Sequence, residues 1–226
     1  MRSPVPKPQM IWAVGLNYRA HAAETGRPLP EFPALFVKSP RAVIAHEDAI
    51  VVPPHVTQPD YEGELAVVIG RRCRDVALDD ALDVLAGVTI AHDVSARDHQ
   101  YVTGQFSWSK SFDTFCPLGP EVVSLDEVDL AAGLALETKL NGEVMQSSTT
   151  ADLVFDVPQL IAWITQGCTL DEGDVILTGT PSGVGAAQVP PRWLQDGDVV
   201  EITIEGIGTL RNRVTRASAS GGPGIT

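Results

Sequence analysis

The sequence predicts a single, mainly β domain with a few short helices, and three observations point there. Short apolar runs bounded by Gly and Pro recur along the whole chain and outnumber helical periodicities, which are brief and scattered. No internal repeat, low-complexity block or long linker divides the chain. Residues 10–216 therefore read as one domain, behind an N-terminal extension (1–9) and ahead of a Gly- and Ser-rich tail (217–226) expected to fray. At 226 residues, 44% hydrophobic and 20% charged, the chain is long enough to enclose a pocket within one core.

Residues 10–14 are an apolar run ending at Gly15, a first strand. Asn17 then caps a short helix over 18–25, which Gly26 and Pro28 stop. Residues 34–38 and 50–52 read as strands between prolines, and a proline-rich loop over 53–59 leads into Asp60-Tyr61-Glu62-Gly63-Glu64-Leu65-Ala66-Val67-Val68-Ile69-Gly70. In a strand Glu62 and Glu64 share a face, roughly 7 Å apart at the backbone. Two like charges about 4 Å apart repel by about 4 kcal/mol at an effective dielectric near 20, so a buried pair takes up a proton or a cation. Alternating acids are common on solvated strands, but here the continuation is apolar on both faces, which marks a buried strand.

Residues 78–86 have helical periodicity with Asp79, Asp80 and Asp83 outward, ended by Gly87. Residues 88–90 form a buried strand that runs into Asp93, a carboxylate at a strand end, where the scaffold holds it still. Residues 106–117 set Trp108, Lys110, Phe112 and Phe115 among small polar residues and read as an irregular pocket wall. Asn141-Gly142 between runs at 134–140 and 143–146 signals a type I′ hairpin. A helix over 157–165 starts across Pro158 and closes at Gly167. A strand at 174–177 precedes Thr178-Gly179-Thr180-Pro181-Ser182-Gly183-Val184-Gly185, and 199–205 with 208–214 make a last hairpin around Gly206.

The formal charge of −13 repels a phosphate backbone and argues against a nucleic-acid partner. Cys73, Cys116 and Cys168 are odd in number and lack CxxC spacing, so neither a disulfide framework nor structural zinc is expected. Residues 1–9 carry three prolines and no long apolar run. Neither signal peptide nor membrane span is expected, and the cytoplasm is the expected compartment.

Glu62, Glu64 and Asp93 offer three hard oxygen ligands, a set suited to Mg²⁺ or Mn²⁺, with Ca²⁺ possible. Arg97 and Lys110 are the cations to place nearby, where neutralising acids competes evenly with binding a substrate carboxylate. His21 and Glu24, at i and i+3, have the spacing of a histidine oriented by a carboxylate. That is also the spacing of an exposed solvated pair, which spacing alone favours. The 178–185 segment lacks the P-loop lysine pattern and reads as an anion-contacting turn with the Thr180 hydroxyl and backbone N–H groups as donors. No GxSxG elbow supports a serine hydrolase. His46 and His55 fall in surface turns, His92 alternates with Asp93 and points away from it, and His99 neighbours the site.

Together, Asn17-Tyr18-Arg19-Ala20-His21 with Glu24, Tyr61-Glu62-Gly63-Glu64, Asp93-Val94-Ser95-Ala96-Arg97-Asp98, Trp108-Ser109-Lys110-Ser111-Phe112-Asp113 and the 178–185 segment resemble the fumarylacetoacetate hydrolase family, in its short single-domain branch of acylpyruvate hydrolases and oxaloacetate decarboxylases. The resemblance implies a mixed β-roll or barrel, commonly a homodimer. It implies Mg²⁺ or Mn²⁺ on Glu62, Glu64 and Asp93, an acid/base dyad of His21 and Glu24, and contacts to substrate or metal shell from Arg97, Gln100, Lys110 and Thr180. The expected activity is C–C cleavage of a small 2-oxo acid through an enolate, by hydrolysis or decarboxylation. Alternatives are an isomerase or hydratase of 2-hydroxydienedioates and, from another class, a non-catalytic protein with a structural Ca²⁺.

Overall fold

The computed structural model describes residues 3–5 and 8–218. The expected tail lies outside the described residues from position 219 onward, as does part of the N-terminal extension. The strands are β1 (Ile11–Gly15), β2 (Ala34–Lys38), β3 (Val43–Ala45), β4 (Ile50–Val52), β5 (Pro59–Asp60), β6 (Gly63–Ile69), β7 (Leu85–His92), β8 (Ser95–Ala96), β9 (Cys116–Val123), β10 (Ala135–Leu140), β11 (Glu143–Thr149), β12 (Val175–Leu177), β13 (Val199–Ile204) and β14 (Gly208–Arg216). Among the described residues four short α-helices accompany them: α1 (Arg19–Glu24), α2 (Arg97–Thr103), α3 (Phe106–Ser109) and α4 (Val157–Gly167). The protein is mainly β, as its sequence predicts.

A seven-stranded mixed sheet runs β2-β1-β12-β6-β7-β9-β3, and a five-stranded sheet runs β11-β10-β13-β14-β4. Strand alternation sends Leu65, Val67 and Ile69 of β6 into the core between the sheets, where they join Leu136, Val200, Ile202 and Leu210. Ala66 and Val68, one residue out of phase, join Ile11, Ala13, Ala91, Cys116, Leu118, Val175 and Leu177 on the opposite face of the large sheet. That double burial is why β6 reads as continuously apolar. Helix α4 closes one side of the inter-sheet core with Val157, Leu160, Ile161 and Ile164. Its start is fixed by a capping box between Asp156 and Gln159.

Several local expectations change. The helix predicted over 78–86 is a 3₁₀ helix, Leu78–Val84; it stops at Val84 because Leu85 is taken into β7 by pairing with Ile69. The acidic stretch is not one strand: it breaks at Tyr61 and Glu62 between β5 and β6. Asn17 does not cap α1, whose N-cap is Tyr18. Its carboxamide instead ties the Phe155 backbone to the Thr178 carbonyl. The 106–117 wall contains α3 and the start of β9. The predicted I′ hairpin matches the backbone, with φ of 54° at Asn141 and 85° at Gly142.

Candidate active site

Sheet parity gathers the charged groups. In the β6–β7 pairing Glu64 lies opposite Ala91 and Gly63 opposite His92. The next step sets Glu62 against Asp93, where the Asp93 N–H donates to the Glu62 carbonyl at 2.9 Å. Directly opposed residues share a face, so Glu62, Glu64 and Asp93 emerge on the Ala66/Val68 side of the sheet. Lys38, which pairs with Ile11 at the end of β2, belongs to the same face. Gly63 is required between the two glutamates: a Cβ there would meet Thr138 Oγ1 at 2.2 Å and Ile202 at 3.0 Å.

All three carboxylates are buried, and one ligand oxygen from each lies within 4.8 Å of the others. Lys110 Nζ donates to Glu62 Oε2 at 2.5 Å and to Asp93 Oδ2 at 2.6 Å. Lys38 Nζ donates to Asp93 Oδ1 at 2.5 Å, to the Phe115 carbonyl at 3.0 Å and to the Lys110 carbonyl. Arg97 uses each of its three nitrogens: Nε on Asp60 at 2.8 Å, Nη2 on Glu62 at 2.5 Å and Nη1 on Gln100 at 3.0 Å.

Burial opposes ionisation of Glu62, but Lys110 and Arg97 outweigh it and hold its carboxyl far below the usual range. Glu64 goes the other way. Burial and the neighbouring Asp93 and Glu62 push it well above the usual range, and among the described residues no cationic side chain pairs with it. Its Oε2 accepts from the Gly179 N–H at 2.7 Å. A buried set of hard oxygens, bridged by one ammonium and left with an uncompensated carboxyl, fits a hard divalent cation.

The 178–185 loop contacts anions, and they are the protein's own. Its N–H groups donate to Glu64 from Gly179, to Glu24 from Gly183 at 2.8 Å and to Asp60 from Gly185 at 2.7 Å. The Thr180 hydroxyl donates to the Gly63 carbonyl at 3.1 Å and accepts from Gln146 at 2.8 Å. On α1, His21 Nδ1 lies 3.0 Å from Glu24 Oε2. His21, Glu24, Glu62, Glu64, Asp93, Arg97, Gln100, Lys110 and Thr180 all line one cleft of about 330 Å³, with Phe36 and Phe106 among its apolar walls.

The sequence profile described as "Fumarylacetoacetate (FAA) hydrolase C-terminal" matches residues 10–215. The chain belongs to the fumarylacetoacetate hydrolase family. It is similar to a Bacillus subtilis protein named oxaloacetate tautomerase YisK, at 45% identity over 218 residues, covering 95% of this chain and 72% of that protein. Among solved structures it resembles a Mycobacterium smegmatis protein described as 5-carboxymethyl-2-hydroxymuconate delta-isomerase. That match has TM-score 0.85 and 45% identity, and covers 96% of this chain and 82% of the other. A Mycobacterium marinum protein described as 2-hydroxyhepta-2,4-diene-1,7-dioate isomerase aligns at TM-score 0.83 and 43% identity, covering 93% and 76%. Family membership makes the chain an enzyme. Among the described residues, no helix is long and apolar enough to cross a membrane.

In this fumarylacetoacetate hydrolase family enzyme, three further residues shape the site. Lys38 carried a signal, being a lysine at the end of an otherwise apolar strand. Asp60 opened the acidic stretch, but its task of binding Arg97 and the N–H groups of Gly185 and Ala186 depends on a loop 125 residues away. Gln146 reaches from β11 to the Gly63 N–H at 2.9 Å, and no local pattern announces it. Of the histidines, His55 is exposed. His92 is buried outside the carboxylate cluster, with its pKa lowered to about 3 by burial and by Lys38. His99 sits against Asp98 at 3.1 Å.

Proposed function

We propose that the enzyme moves a proton on a 2-oxo acid, interconverting keto and enol forms or shifting a double bond in a 2-hydroxydienoate, with Mg²⁺ or Mn²⁺ held by Glu62, Glu64 and Asp93. The observation that carries this reading is the shared cleft: the His21–Glu24 pair and the three-carboxylate cluster open onto the same space. Nδ1 of His21 is given to Glu24, which leaves Nε2 to take a proton from the carbon beside the keto group and return it to oxygen. Glu24, fixed by the Gly183 N–H, sets the tautomer and supports the imidazolium. When bound, the ion would supply positive charge that orients the substrate's carboxylate and keto oxygens and acidifies the adjacent carbon. Phe36 and Phe106 limit water at the cleft wall.

The names of the relatives support proton movement ahead of C–C hydrolysis. Hydrolysis of an acylpyruvate, or loss of CO₂ from oxaloacetate, would reach the same enolate and release pyruvate. The test follows ultraviolet absorbance of enolic oxaloacetate and of a 2-hydroxydienedioate, with pyruvate measured in parallel. Loss of absorbance without pyruvate, abolished by chelation and by His21→Ala, is the expected result. Stoichiometric pyruvate, or full activity in His21→Ala, would overturn the reading. The proposal includes a homodimer, supported by exposed Tyr101, Val102 and Trp108 on α2 and α3 and checked by sedimentation.

A further inference from the structure

We propose that Arg27 selects substrates carrying a second carboxylate, distal to the 2-oxo acid group; this rests on the reading of the site given above. The side chains lining the cleft include the cations Arg97, Lys110 and Arg27. Arg97 spends all three nitrogens on Asp60, Glu62 and Gln100, and Lys110 lies between Glu62 and Asp93. Both are committed to holding the acidic cluster together. Among the described residues, Arg27 is the cleft-lining cation whose side chain makes no hydrogen bond or ion pair to the protein.

The backbone presents Arg27 in a fixed place. Helix α1 ends in a Schellman motif: Gly26 adopts φ 65°, its N–H donates to the Ala23 carbonyl at 3.1 Å, and the Arg27 N–H donates to the Ala22 carbonyl at 3.0 Å. Pro28 follows and confines Arg27 to extended backbone. Farther along, Phe32 stacks on Trp163 of α4 at 5.1 Å and anchors the segment. Arg27 is thus held five residues beyond the buried Ala22 of the helix that carries His21 and Glu24.

The chemistry of the occupant follows from charge. A molecule of net charge −13 disfavours a dianion unless a local cation meets it. On the reading above, an ion held by Glu62, Glu64 and Asp93 would take the carboxylate of the 2-oxo acid, which leaves the free guanidinium for a second one, to which its planar fork is suited.

The test measures calorimetric binding to the full chain with Mn²⁺. It compares oxalate, which has only the chelating end, with 2-oxoglutarate and 2-oxovalerate, which share a five-carbon chain but differ in a terminal carboxylate. Wild type is expected to prefer 2-oxoglutarate by about tenfold, the order of one charge-assisted hydrogen bond. Arg27→Gln should erase that preference and leave oxalate affinity unchanged, while Arg27→Lys keeps part of it. Oxalate binding with no preference in wild type, or a preference intact in Arg27→Gln, overturns the role of Arg27 alone. Failure of oxalate to bind wild type overturns the 2-oxo acid reading, and this inference with it.

Discussion

Lys38→Met tests whether buried counter-charges hold the acidic cluster together. Lys38 is 1% exposed, and its ammonium spends three protons, on Asp93, the Phe115 carbonyl and the Lys110 carbonyl. Methionine replaces the stem and donates nothing. Removing one partner of a buried ion pair costs about 3–5 kcal/mol. Asp93 keeps Lys110 at 2.6 Å, which puts this loss near the low end. The two orphaned carbonyls add about 1 kcal/mol each, for a total of roughly 5 kcal/mol. A chain of this size loses about 2–4 °C of Tm per kcal/mol, so the expected fall is about 10–20 °C. Thermal denaturation by circular dichroism, in the presence of chelator, measures it. The double variant Lys38→Met with Asp93→Asn should lose clearly less than the sum of the two single variants, because the carboxylate that lost Lys38 no longer carries a charge. A Tm within about 2 °C of wild type, or strictly additive losses, would refute the reasoning.

Other perturbations probe neighbouring parts of the site. Gly63→Ala drives a Cβ to 2.2 Å from Thr138 Oγ1 and should cost about 1–3 kcal/mol while weakening Mn²⁺ binding; unchanged Tm and affinity would contradict the close approach. Mn²⁺ should raise the Tm of the wild type but not that of Glu64→Gln, since the variant removes the carboxyl that lacks a counter-charge. His21→Ala or Glu24→Gln should lower turnover by about 10²–10⁴-fold with Mn²⁺ affinity retained, as read by calorimetry beside the kinetic assay. Asp98 is partly buried, which opposes ionisation, but the Thr57 N–H and hydroxyl and the His99 ring lower its pKa from 3.8 to about 2. A depressed carboxyl stabilises the fold above its unfolded value and loses that contribution as pH falls through the folded one. Asp98→Asn should therefore lower Tm at pH 7, by a margin that narrows between about pH 4 and pH 2.

Much of the site was legible because strands encode faces. Glu62 and Glu64 stand two residues apart, which suggests a common face, and the Asp93 N–H on the Glu62 carbonyl keeps that parity although Glu62 lies just outside β6; Asp93 could be noticed as a carboxylate ending an apolar strand. The His21–Glu24 spacing was equally visible, although it does not separate a cleft-lining pair from a solvated one; the cleft that both residues share with the three carboxylates makes that distinction. The helical periodicity of 78–86 runs past the end of the 3₁₀ helix at Val84 because periodicity cannot anticipate that Ile69 claims Leu85 as its strand partner.

By itself, the sequence determined the strand faces, the Asn141-Gly142 hairpin, the double burial of β6 and the motif order that places the chain in its family. Each of these depends on periods of two or on turn chemistry, which neighbouring residues carry. Tertiary structure alone decided where the charges go: Lys38 onto Asp93, 55 residues apart, Gln146 onto Gly63, 83 apart, and Asp60 onto Gly185, 125 apart. It also decided that Arg97 is fully committed while Arg27 has no side-chain partner among the described residues. A buried charge must find its partner wherever the fold brings one within about 3 Å, and that proximity is a property of sheet register and loop closure rather than of any local stretch of chain.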